Sequence, residues 1–207
     1  SIIFNNIDKM SFDDLGGESE FIPLMTSEDE EALEKEALPD VLSILPLTNT
    51  VLFPGVVMPI NAGSDKSIKL INDANKSNKL IGVIAQKSPK VENPSIENIH
   101  GVGTVAKILR VLKMPDGNTT VIIQGKKRFK IKSVVKTDPY IQATIDSVND
   151  KNHKKSNSKF SATIDAIKDI ALKIIKENPN IPSEASFAIK NIHSSAFLIN
   201  FVCSNMN

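Results

Sequence analysis

Cysteine, tryptophan and tyrosine are nearly absent: the 207 residues include one Cys, no Trp and one Tyr. Cys203 alone cannot form an internal disulfide, which suits a reducing compartment. Aromatics make up 5% of the chain, so stacking platforms for nucleic-acid bases are scarce. No apolar run approaches the roughly 18 residues of a spanning helix, so no membrane partner is expected. The opening SIIFNNIDKMSFDDLGGESE lacks the basic-then-apolar order of a secretory signal. A cytoplasmic protein is the expectation. With 9 Gly and 11 Pro, collagen-like and low-complexity architectures are excluded.

Catalytic and cofactor motifs are missing as well. There is no G-x-x-x-x-G-K-[ST] phosphate loop, no H-E-x-x-H and no G-x-S-x-G. His100, His153 and His193 are scattered and there is no cysteine cluster, so a zinc site lacks ligands. His193 and Cys203 would lie on different faces of a shared helix, and Cys203 reads as a core residue. Ser156-Asn157-Ser158-Lys159 fits S-x-x-K but falls in a polar linker, where burial cannot depress a lysine pKa. Gly101-Val102-Gly103-Thr104-Val105-Ala106 fits the dinucleotide fingerprint in letters only. That motif needs a preceding strand and a helix opening at its end, and here a strand follows. The chain is expected to be no enzyme and to hold no catalytic residue, cofactor or metal.

What is present is charge, unevenly spread. Residues 1–40 carry 12 acids and two bases, a net of −10; residues 41–207 carry 12 acids and 23 bases, a net of +11. The acidic segment is either a solvated tail or a competitor for the basic surface of its own domain. Within it, Ser27-Glu28-Asp29-Glu30 is a capping box for a short helix that stops at Pro39.

From residue 41 to 150 the pattern is period two. Strands are expected at Val41–Leu47, Lys79–Gln86, Gly103–Lys113, Thr119–Gln124, Phe129–Val134 and Tyr140–Val148. Ser64 would cap one helix bearing Ile68, Ile71 and Ala74. Met114–Asn118 is turn chemistry for a hairpin. The fold class is α+β, a small, partly closed β-barrel or folded sheet. Residues 151–158 are a linker. Residues 159–207 start a helical segment, with Phe160, Ile164, Ile167, Ala171 and Ile174 on one face. A second helix from Ser183 carries Ala188, Ile192, Ser195, Ile199 and Val202 almost to the last residue, so the chain reads as truncated.

Two stretches are candidates for binding. Lys126-Lys127-Arg128-Phe129-Lys130-Ile131-Lys132 is the densest basic run. Either it contacts phosphates with Phe129 stacking on bases, or it is a strand with Phe129 and Ile131 inward and Lys130 and Lys132 in solvent. The second stretch, Leu45 to Ile60, is apolar and stiffened by Pro46, Pro54, Gly55 and Pro59. It is either buried or offered to a partner, and a rigid segment loses little entropy on binding. Leu52, Phe53, Pro54 and Met58 are its candidate contact residues. Each can equally be core.

At this stretch the sequence closely resembles the N-terminal substrate-binding domain of the Lon family of ATP-dependent serine proteases. The resemblance rests on Leu45-Pro46-Leu47, then Asn49-Thr50-Val51-Leu52-Phe53-Pro54-Gly55 and Pro59. It continues through Ile81-Gly82-Val83, Gly101 to Ala106 with Ile108, Gln124-Gly125, Arg128-Phe129 and Pro139-Tyr140. It covers residues 41–150 well and the helices from 159 more weakly; residues 1–40 have no counterpart that can be placed. The resemblance implies a PUA-like β domain followed by helices, upstream of an AAA+ ATPase and a Ser-Lys protease. It implies capture of unfolded or tagged proteins and support of a hexamer, with ATP and Mg used by the parts absent here. A stand-alone PUA-like RNA binder using Lys126, Lys127, Arg128 and Lys130, or a purely structural oligomerisation domain, are the alternatives.

Overall fold

The computed structural model describes residues 35–113, 119–148, 158–179, 181 and 184–205. The capping box at Ser27, the hairpin turn at 114–118 and all of the 151–158 linker except Ser158, which is helical, lie outside them. The described residues fall into two compact units, one over Ala32–Asn149 and one holding the helices after 150.

The first unit runs β1 (Val41–Leu47), β2 (Val57–Ala62), α1 (Asp65–Asn75), β3 (Leu80–Ala85), β4 (Val102–Lys113), β5 (Thr119–Lys136) and β6 (Gln142–Val148). Strand order is β2-β5-β4-β3-β1-β6, and β6 also pairs with β5, so the pairings through five strands return to their start. This is the expected α+β architecture, a folded mixed sheet, with β2 added at the edge. Only β1 and β3 are parallel, joined by the crossover that contains β2 and α1. Pro59 lies in β2, which pairs with β5 alone; an edge strand tolerates the missing amide. Ser64 caps α1 by accepting from the Ser67 amide at 3.2 Å, and Leu70, Ile71 and Ala74 are buried. Tyr140, ahead of β6, donates to Asp73 of α1 at 3.0 Å. Burial, and then that carboxylate, push its pKa up.

Two expected strands, Thr119–Gln124 and Phe129–Val134, are one 18-residue strand. β5 is continuous, with register shifts opposite Thr104/Ala106 of β4 and at Ile131/Ser133 within β5 itself. Its first half pairs with β2 and β4, and its second half with β6 and, through Lys130, still with β4.

The core gathers around Phe129, which is fully buried with Leu42, Ile44, Ile84 and Val105. Its ring fits because two neighbours lack a side chain. A Cβ on Gly82 would lie 2.8 Å from Phe129 Cζ and 2.7 Å from Ile44 Cδ1. A Cβ on Gly103 would lie 2.9 Å from Phe129 Cε1 and 2.5 Å from the Val83 carbonyl oxygen. Gly103 of the Gly101-Val102-Gly103 stretch is therefore a packing requirement, whereas Gly101 is not.

The second unit contains α2 (Ser158–Glu177), α3 (Glu184–Asn191) and α4 (Ser195–Ser204). The single helix expected from Ser183 onward is broken. Ser194 is extended and accepts from the Phe197 amide at 2.9 Å, starting α4 in a new phase. Ile189, Ile192, Phe197, Leu198 and Phe201 are buried, whereas Ile199 of the expected face is exposed. On α2, Ile164 is buried but Ile174 is exposed. Cys203 is half-buried, less enclosed than a core reading requires.

Gly103→Ala should destabilise the β unit by about 1–3 kcal/mol, because the neighbours are backbone and a trapped ring. Gly101→Ala, which meets nothing within 4 Å, should stay within about 0.5 kcal/mol of the parent. Urea denaturation of both variants checks the pair; equal effects would contradict the packing role.

Candidate functional site

The segment from Val51 to Ile60 alternates in burial on either side of a Pro54-Gly55 turn, where the Val56 amide donates to the Phe53 carbonyl at 3.2 Å. Leu52, Pro54, Val56, Met58 and Ile60 are buried, while Val51 is exposed and Phe53, Val57 and Pro59 are half-buried. Of the four candidate contact residues, Phe53 alone keeps substantial surface. Leu52 and Met58 are core and Pro54 is enclosed. Val51, Val57 and Pro59 take their place at the surface, and the period of two was the signal that could have separated them.

What holds the segment is a set of long-range bonds. Thr104 Oγ1 donates to the Leu52 carbonyl at 2.7 Å in a buried setting. The Gly55 amide donates to the Gly125 carbonyl at 2.9 Å, and the Gly125 amide returns to Val56 at 2.8 Å. Gly55 has φ 80°, which a side chain would strain. A Cβ on Gly125 would overlap the Phe53 carbonyl, so glycine there lets the segment lie directly on β5.

From β2 onward, sheet register fixes which side chains share the outer face. Val57, Gln124 and Lys107 stand in one row, and Pro59, Ile122 and Arg110 in the next. The opposite face holds Met58, Ile123 and Ile108 in the core. At the bulge on β4, Leu109 is 45% exposed. The outer surface is thus an apolar strip of Val57, Pro59, Ile122 and Leu109 with Lys107 and Arg110 along its β4 side. Phe53 has its own cation: the Arg128 guanidinium lies over its ring at 6.0 Å from the centroid. Lys126 meets Glu36 at 3.2 Å.

The basic run resolves clearly. Phe129 is fully buried and cannot stack on a base, while Lys130 and Lys132 are exposed and Ile131 half-buried. Lys126, Lys127 and Arg128 are half-buried. Among the described residues no group of His, Cys, Asp or Glu could hold a metal ion, and no helix is long and apolar enough to cross a membrane.

Comparison with known families assigns residues 41–207 to the ATP-dependent protease La (LON) substrate-binding domain. The chain belongs to the Lon substrate-binding domain family. It is 60% identical over 201 residues to a Lon protease of Flavobacterium johnsoniae, covering 97% of this chain and 25% of that protein. It is 49% identical over 188 residues to a Lon protease of Cytophaga hutchinsonii, covering 91% and 23%. The chain therefore spans about a quarter of the length of these Lon relatives. The N-terminal domain of a Mycobacterium avium complex Lon protease shares the fold, with a TM-score of 0.61 at 20% identity over 78% of this chain and 80% of that one. Coverage of 97% also corrects one expectation: most of the acidic residues 1–40 do have a counterpart in a Lon relative.

Replacing Thr104 by Val removes the buried donor and leaves the Leu52 carbonyl unpaired, which should cost about 1–3 kcal/mol. Thr104→Ser should recover most of it. Denaturant midpoints for the two variants provide the check; a harmless Thr104→Val would mean that the bond does not hold the segment.

Proposed function

We propose that this domain captures polypeptide clients, unfolded or tagged, for a Lon-type ATP-dependent serine protease of which it is the N-terminal part. The observation that carries the reading is the apolar strip of Phe53, Val57, Pro59 and Ile122, held on a rigid support in a Lon substrate-binding domain. Exposed apolar strips suit chains that present side chains normally kept in a core. The support is stiffened by prolines and backbone bonds, so binding orders little of the domain itself.

In this reading the chain performs no hydrolysis. ATP and Mg would be bound and the peptide bond cut by the remaining three-quarters of the protein, in the cytoplasm. Other copies of the chain, as a hexamer, are proposed partners through that larger assembly. The RNA-binding alternative is disfavoured by the burial of Phe129, the one aromatic in the basic run.

The test uses a labelled, permanently unfolded protein and the 207-residue chain. Phe53→Ser and Val57→Ser should each weaken binding about fivefold to tenfold, the scale of losing one apolar anchor. Met58→Ala should instead lower stability by about 2–5 kcal/mol, with binding retained by the folded fraction. Full affinity in both surface variants would overturn the proposal.

A further inference from the structure

The strands that build the strip contain no carboxylate. β2, β4 and β5 carry no Asp or Glu, whereas β4 has three Lys or Arg and β5 has six. Lys107 shares a row with Val57, Arg110 shares one with Pro59, and Arg128 sits over Phe53. Lys107 is exposed and makes no ion pair among the described residues. An apolar surface edged on several sides by one sign of charge selects the opposite sign in its partner and repels its own.

The molecule supplies an internal example. Glu36 reaches Lys126 at 3.2 Å, leaving that lysine side chain only 13% exposed. Two residues on, Leu38 packs half-buried against the Phe129 core. A carboxylate on a β5 cation followed by an apolar side chain on the same unit is the pattern that a client would repeat.

From this charge complementarity we infer that the strip selects one class of polypeptide: extended apolar segments flanked by Asp or Glu. Lysine- and arginine-flanked segments of equal hydrophobicity are disfavoured. The inference rests on the reading of the strip as a polypeptide site and specifies what that site prefers. Glu36, as the native carboxylate on this surface, competes with the acidic flank of a client for Lys126.

The experiment compares two labelled peptides with one apolar core, flanked by Asp and Glu in one and by Lys in the other. Each is titrated with the 207-residue chain by fluorescence anisotropy at low and at high salt. Two or three partly exposed ion pairs multiply to roughly tenfold, so the acid-flanked peptide should bind about tenfold tighter at low salt. The gap should narrow as salt screens it. A Lys107→Glu variant changes an exposed side chain in the row of Val57 and should cut the preference several-fold; an unchanged preference would overturn the inference. Glu36→Gln should tighten the acid-flanked peptide a few-fold and leave the lysine-flanked one unchanged. Equal affinities that both fall with Val57→Ser would overturn the charge preference while sparing the strip as a site. No binding of either peptide would overturn both.

Discussion

The Phe129 ring is the piece on which the β unit depends. It is fully buried where β3, β4 and β5 converge, and the two positions facing it, Gly82 and Gly103, have no side chain to displace it. Close contact of this kind sets the distance between strands, since a packed interior accommodates an added methyl group poorly. With Phe129 pinned, the second half of β5 is held between β4 and β6, and the pairings close. The first half then extends as a support for β2 and for the Val51–Val56 segment.

The candidate surface follows from that support. A third glycine, Gly125, lets the segment lie on β5, and Thr104 ties down the Leu52 carbonyl from β4. Fixing the backbone fixes the alternation, so Leu52, Pro54 and Met58 go inward and Val51, Phe53, Val57 and Pro59 keep surface. The buried set provides the stability that holds the other set out in water. The cations come from strands whose buried positions hold Ile108, Val121, Ile123 and Phe129 with the uncharged Thr104 and Thr119, so the charges stand outside.

Much of the fold was legible because local patterns agreed with the final topology. Ser64 as a cap and Phe129 inward with Lys130 outward follow from backbone chemistry and alternation, whereas the edge strand β2 around Pro59 was not among the expected strands. The continuity of β5 was not legible, since Gly125-Lys126-Lys127 looks like a loop and only pairing with β4 carries a strand through it. The break before α4 was missed because apolar spacing across Ile192–Ser195 suits one helix, and the Ser194 cap competes with it. At the candidate site, Leu45-Pro46-Leu47 and Asn49 to Gly55 singled out the segment, yet charge and hydropathy could not tell which side faced water. Register with β5 decides that, and register is set by residues some sixty positions away, as Asn61 opposite Thr120 illustrates. The counterpart of residues 1–40 in a Lon relative was invisible without a second sequence.

The central claim is that one face of the β2–β5–β4 sheet, with Phe53 beside it, receives clients. Backbone amide NMR of the 207-residue chain, titrated with an unfolded protein, reads the contact position by position. Shifts should concentrate at Val51, Phe53, Val57, Leu109, Ile122 and Gln124, and the amides of the buried Ile123 and Ile108 should follow only weakly. Shifts confined to residues 158–205, with the strip unmoved, would contradict the account.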